Sequence, residues 1–119
     1  MNARFAALML MLSPATTFAQ HDQGCPVSEV RFSKGSSGTV IAGVAPPEDN
    51  LCFDLPVRAG QEVQMRMLSG DNVIFTVYDV ADARSDLTFQ APSDTVRFLV
   101  SQLFRAVEPR PFELEVTVR

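Results

Sequence analysis

The side chains able to do chemistry in this 119-residue chain are few, and their spacing suits none of the common reactions. Gly35-Ser36-Ser37-Gly38 sets hydroxyls in a glycine-flanked turn. A nucleophile elbow needs Ser inside GxSxG and a histidine to take its proton. The stretch breaks that pattern, and the lone histidine, His21, lies far away near the N-terminus. It reads instead as a tight glycine hairpin. Asp79, Asp82 and Asp86 are spaced so that one loop offers several oxygens to a hard cation such as Ca²⁺. The spacing is not that of an EF-hand and lacks the closing bidentate Glu, so a solvated acidic loop is the simpler reading. Glu113 and Glu115 share the outward face of an alternating segment and read as solvated. Cys25 and Cys52 form no CxxC pair, which removes the usual redox and zinc motifs. No nucleophile, base and orienting group come together, so the expectation is a protein that is not an enzyme and needs no cofactor.

What must position the remaining residues starts with a segment to be set aside. Arg4 precedes the apolar run Phe5 to Leu12, and Thr17-Phe18-Ala19 supplies small residues at −3 and −1 of a cut after Ala19. That is the anatomy of a secretory signal peptide over residues 1–19, with an apolar run too short to span a bilayer. Gly24-Cys25 resembles the end of a lipobox, but Asp22 stands where an aliphatic residue is wanted and Cys25 lies too far from the apolar run. No later stretch is long and apolar enough for a membrane helix. The expectation is a periplasmic or secreted protein, not inserted in a membrane, whose residues 20–119 form a single domain.

Loss of Arg4 with the signal leaves 9 basic against 14 acidic side chains, a net charge of −5. That balance argues against tracking nucleic-acid phosphates and suits steering toward a basic partner. The two cysteines, both in the exported part, read as one disulfide in an oxidising compartment.

The exported part alternates apolar and polar residues with period two. Val63, Met65 and Met67 alternate with Glu62, Gln64 and Arg66; Val96, Phe98 and Val100 with Thr95, Arg97 and Ser101. Phe112, Leu114, Val116 and Val118 alternate with Glu113, Glu115 and Thr117. Each pattern turns one face inward and one to water. Gly, Pro, Asn and Asp clusters interrupt them at short intervals, including 34–38, 45–50, 58–60, 69–72, 79–86, 91–94 and 108–111. The spacing predicts about eight strands, at 27–32, 38–44, 51–56, 62–69, 73–79, 87–91, 95–102 and 112–118. The fold expected is all-β: one antiparallel β-sandwich or small jelly roll.

Three stretches resemble the bacterial periplasmic lysozyme inhibitors of the g-type and i-type classes. Val30-Arg31-Phe32-Ser33-Lys34-Gly35 resembles their V-x-F-x-K-G opening. The segment from Cys52-Phe53-Asp54 to Ala59-Gly60-Gln61-Glu62-Val63 resembles their Y-x-F-x-A-x-x-G-Q-x-V stretch. Phe112-Glu113-Leu114-Glu115-Val116 is similar to their closing Y-x-L-x-V strand. The central piece is shared with the pre-peptidase C-terminal domain, a β-sandwich module of secreted hydrolases. The resemblance implies a non-catalytic protein that inserts loops into a partner's cleft, the partner being a basic lysozyme or another secreted protein. It places contact residues at Ser93 and Asp94, where the family carries a Ser-Gly-x-Tyr-like motif, and at Arg105 and Arg110, in its arginine-bearing loop. Here Asp94 stands for Gly and Val96 for Tyr, which removes a rigid aromatic anchor and adds a carboxylate facing the enzyme's own. The competing reading is a generic module that binds glycan or protein without inhibiting lysozyme. It requires aromatic platforms, and the candidates are Tyr78 and Phe104 on one face.

Overall fold

A computed structural model describes residues 25–119. The signal segment 1–19 and His21 lie outside the described residues. Nine strands follow in order: β1 (Val27–Glu29), β2 (Gly38–Ala45), β3 (Leu51–Pro56), β4 (Glu62–Ser69), β5 (Val73–Val77), β6 (Ala81–Arg84), β7 (Asp86–Gln90), β8 (Thr95–Gln102) and β9 (Arg110–Val118). They form a five-stranded sheet in the order β1-β3-β8-β5-β6 and a four-stranded sheet in the order β2-β9-β4-β7. No helix among the described residues is long and apolar enough to cross a membrane.

The period-two rows decide how these sheets pack. Val96, Phe98 and Val100 of β8 are at most 2 % exposed, as are Phe112, Leu114 and Val116 of β9. Both strands are interior, so their apolar faces line the middle of the sandwich, flanked by Val63, Met65, Phe75 and Val77. Phe98 stacks on its cross-strand partner Phe53 with ring centroids 5.1 Å apart. The two core methionines expected from the sequence divide: Met65 is fully buried and Met67 packs at the margin.

The all-β sandwich is as expected, with three local differences. β1 stops at Glu29 rather than continuing to residue 32, although the Val30 amide still donates to the Asp54 carbonyl at 2.9 Å. Beyond it the chain leaves the sheet and Phe32 packs against the core from the side. β1 also runs parallel to β3, because β2 between them belongs to the other sheet and carries the chain back. The third difference is β6, which lies inside the stretch read as a loop at 79–86. It has four residues, an irregular register against β5, and positive φ at Ala83 (50°) and at Asp79 (65°) in the turn before it, so it lacks the alternation that betrays a strand.

Cys25 and Cys52 are joined, with a sequence separation of 27. Cys52 pairs with Val27, so the bridge anchors the start of the short parallel edge strand where three paired residues alone would fray. A loop of that length corresponds to about 3–4 kcal/mol of unfolded-state entropy. Two stability measurements check this account. Paired Cys25→Ser and Cys52→Ser substitutions are expected to lower urea stability by about 3 kcal/mol while the far-ultraviolet spectrum stays β. Phe98→Ala is expected to cost about 3–5 kcal/mol, because a cavity opens where the two sheets meet.

Candidate functional site

Strand β8 separates the candidate contact residues. Ser93 and Asp94 precede it, and Arg105 and Arg110 follow it. Eight extended residues span roughly 25 Å, so the two pairs occupy opposite ends of the sandwich. One end gathers the turns 57–61, 78–80 and 91–94; the other gathers 46–50, 70–72 and 103–109. The four residues therefore do not line one cleft.

At the first end the loop side chains are engaged with nearby backbone. The Ser93 hydroxyl donates to the Thr95 carbonyl at 2.9 Å, a local turn of the kind serine favours before a strand. Asp94 Oδ1 accepts from the Ala59 amide at 3.3 Å, while the Asp94 carbonyl accepts from Val57 at 2.9 Å. Asp94 thus ties the β7–β8 loop to the β3–β4 turn. Beside it a shallow groove of about 280 Å³ is lined by Asp54, Tyr78, Asp79, Ser93, Thr95 and Arg97, among others. Arg97 donates from Nε and from an Nη to both oxygens of Asp54, at 2.7 and 2.9 Å. This forked pair holds the Asp54 carboxyl below the usual carboxylate range, chiefly through the Arg97 hydrogen bonds, with partial desolvation opposing.

Asp79, Asp82 and Asp86 sit in the β5–β6 turn, in β6 and at the start of β7. Among the described residues no group of three or more His, Cys, Asp or Glu side chains is arranged to hold a metal ion. The three aspartates are exposed.

The opposite end is built differently. Asn72 adopts φ 66°, a conformation asparagine tolerates better than most residues, and its side chain reaches into the 103–109 loop. Its Oδ1 accepts from the Phe104 amide at 3.0 Å, and its Nδ2 donates to the Phe104 carbonyl at 2.8 Å. The Asn72 carbonyl accepts from Leu103 at 2.8 Å. Gln102, which accepts from Asn72 Nδ2 at 3.0 Å, donates onward to the carbonyls of Ala45 and Glu108 at 3.1 and 2.9 Å. Two amide side chains therefore clamp the loop at both feet. The clamped backbone leaves its side chains in water: Phe104 is 71 % exposed and Val107 is 90 % exposed.

Arg105 is exposed and lines a groove of about 350 Å³ with Glu48, Asp49, Asn50 and Gln102. Arg110 is only part-exposed; its guanidinium lies 3.4 Å from Asp71, and its buried Nε has no hydrogen-bond partner among the described residues. Tyr78 is 44 % exposed, but it belongs to the first end, so Tyr78 and Phe104 lie at opposite ends of the sandwich. Sequence reasoning missed Asn72 and Gln102. Asn72 carried a signal, the Ser69-Gly70-Asp71-Asn72 turn cluster, whereas Gln102 looked like one more polar residue at a strand end.

Two outcomes follow. Asn72→Gly keeps the backbone conformation and deletes the clamp; amide exchange at Phe104 is expected to quicken by about tenfold or more, since two hydrogen bonds of about 1 kcal/mol each are lost. The Asp54–Arg97 pair makes stability pH-dependent. Its folded carboxyl titrates below the unfolded one, so its contribution is complete above the unfolded value of about 4 and is lost as pH falls through the folded value. Arg97→Gln should lower the urea midpoint at pH 7 and lower it less at pH 2.

No protein-family model and no curated protein matches the sequence. Solved structures do. A periplasmic inhibitor of g-type lysozyme from Aeromonas hydrophila superposes with a TM-score of 0.67 at 20% identity, over 80% of this chain and 97% of that one. The Salmonella Typhimurium inhibitor of g-type lysozyme gives 0.64 at 15% identity, over 78% and 97%. A mutant of the Escherichia coli inhibitor gives 0.61 at 13% identity, over 81% and 99%. The resemblance read from the three sequence stretches holds at the level of the fold, and this chain has the fold of the periplasmic inhibitors of g-type lysozyme.

Proposed function

We propose that this protein is an exported, non-catalytic inhibitor of a cell-wall lysozyme, acting in the periplasm by seating one end of its sandwich in the enzyme's cleft. The observation that carries this reading is the clamped 103–109 loop. An exposed phenylalanine on a backbone held at both its N–H and its C=O is a preorganised anchor, since little ordering entropy remains to be lost on binding. Leu103 and Val107 widen the apolar tip, being 50 % and 90 % exposed. Around it, exposed Glu48, Asp49, Asp71 and Glu108 suit a basic enzyme, and Arg105 offers a forked donor to a carboxylate in the cleft. Arg110 would act mainly from behind, orienting the loop's return into β9.

In this reading Phe104 supplies the aromatic anchor, since Val96, which stands where the inhibitor pattern has tyrosine, is buried in the core. Ser93 and Asp94 hold the far end of the sandwich together rather than touching the enzyme. The likeness to structures described as inhibitors of g-type lysozyme makes the g-type enzyme the first partner to try.

The test is a turbidity assay of wall lysis by g-, i- and c-type lysozymes with purified residues 20–119. Inhibition of the g-type enzyme is expected, and Phe104→Ala should weaken it by about thirtyfold, the loss of a hot spot of about 2 kcal/mol. Ser93→Ala should leave it within about threefold. Unchanged lysis by all three enzymes at micromolar protein would overturn the reading.

A further inference from the structure

Four strands lie at sheet edges, and three carry charged side chains: Glu29 in β1, Asp82 and Arg84 in β6, and Asp86 in β7. β2 does not. Its eight residues, Gly-Thr-Val-Ile-Ala-Gly-Val-Ala, contain no charge and no proline, and they pair with β9 without a register break. Exposed edges are normally blunted by charge, proline, a bulge or shortness, because unpaired N–H and C=O groups template another strand. β2 has none of these protections and is the longest edge of the molecule.

The direction of its free groups is fixed by two contacts. The Val118 amide donates to the Ser37 carbonyl, which points Ser37 and every second residue after it toward β9. Gly38 turns its N–H and C=O to the Ser36 hydroxyl instead, on the outer side. By antiparallel alternation the outward groups further along belong to Val40, Ala42 and Val44. No backbone bond outside the β2–β9 ladder uses them among the described residues. The same three residues also point their side chains to water, with Val40 48 % and Val44 54 % exposed.

We propose that β2 pairs with β2 of a second copy of this chain, antiparallel, about a twofold axis at Ala42. That register sets Ala42 opposite Ala42 and Val40 opposite Val44, so each outward donor meets an outward acceptor of the other copy. It also joins the exposed valines into one apolar ribbon across the seam. No like charges meet: the nearest outward carboxylates, Glu113 and Glu115 on β9, are already held by Ser69 and Arg66. Across the seam the two β9 strands stand three strand spacings apart, about 14 Å, beyond the Debye length of about 8 Å. The strand is self-complementary, which singles out another copy over a heterologous peptide. The contact is narrower than a standard interface of roughly 1,600 Å², so the dimer forms in a concentration-dependent way. The twofold inverts one copy relative to the other, leaving the two 103–109 tips at opposite ends and both accessible.

The experiment is light scattering on residues 20–119 across a concentration series, with a charge-swap pair. The wild-type protein is expected to move from monomer to dimer as concentration rises. Ala42→Lys and Ala42→Glu, each placing like charges opposite one another at an exposed position, are expected to stay monomeric. Their equimolar mixture should dimerise again. Amide exchange supplies a readout that needs no variant: Val40, Ala42 and Val44 should become protected as wild-type concentration rises. A wild-type protein that stays monomeric, a dimer that survives both substitutions, or a mixture that does not associate would each overturn the proposal.

Discussion

Both sheets are organised around strands that the chain makes last. β8 lies in the middle of one sheet and β9 is an inner strand of the other. Their inward residues, Val96, Phe98 and Val100 against Phe112, Leu114 and Val116, are the driest rows of the molecule. The strands they separate are therefore joined only through them. β3 and β5 are separated by β8, and β2 and β4 by β9. Closing such gaps means bringing together residues far apart in sequence, which carries a loop-closure cost before burial repays it. The sandwich is therefore held by hydrophobic burial along two C-terminal strands, with the hydrogen-bond ladders following from that placement.

The two ends of this scaffold are finished by side chains that bind backbone, and they are finished in different ways. At one end Asp94 and Ser93 serve local turns, while Arg97 and Asp54 make a cross-strand fork on the outer face of the sheet. Polar capacity there is turned inward on the protein itself. At the other end Asn72 and Gln102 hold a loop whose apolar side chains remain in water. Phe104 thus stays exposed on an ordered backbone, the feature on which the proposed binding surface rests. The binding surface proposed here lies about 25 Å from the 93–96 loop, so it does not depend on the residues in which that loop departs from the inhibitor pattern.

Read from residues alone, the chain already specified much of this. Period-two burial and glycine, proline and aspartate turns sufficed for most strands, and β3, β4 and β8 begin and end at the residues expected of them. The cysteine pairing followed from there being only two. The gap was β6. Left-handed backbone bends the turn before it at Asp79 and the strand itself at Ala83, and neither face is buried deeply enough to leave a hydrophobic trace. The parallel pairing of β1 was equally hidden, because the direction of a strand depends on which sheet its neighbours join.

Alternation is a property of neighbouring residues, so the sequence by itself determined that layers would form and which face of each strand would be dry. Which residues share an end of the sandwich is a matter of strand order, and only the tertiary structure decided it. It set Ser93 and Arg105 on opposite sides of β8, brought Asn72 to a loop some thirty residues later, and left β2 on the rim of its sheet. The physical reason is that a hydrophobic pattern fixes what is buried, whereas topology fixes what is adjacent, and binding surfaces are made of adjacency.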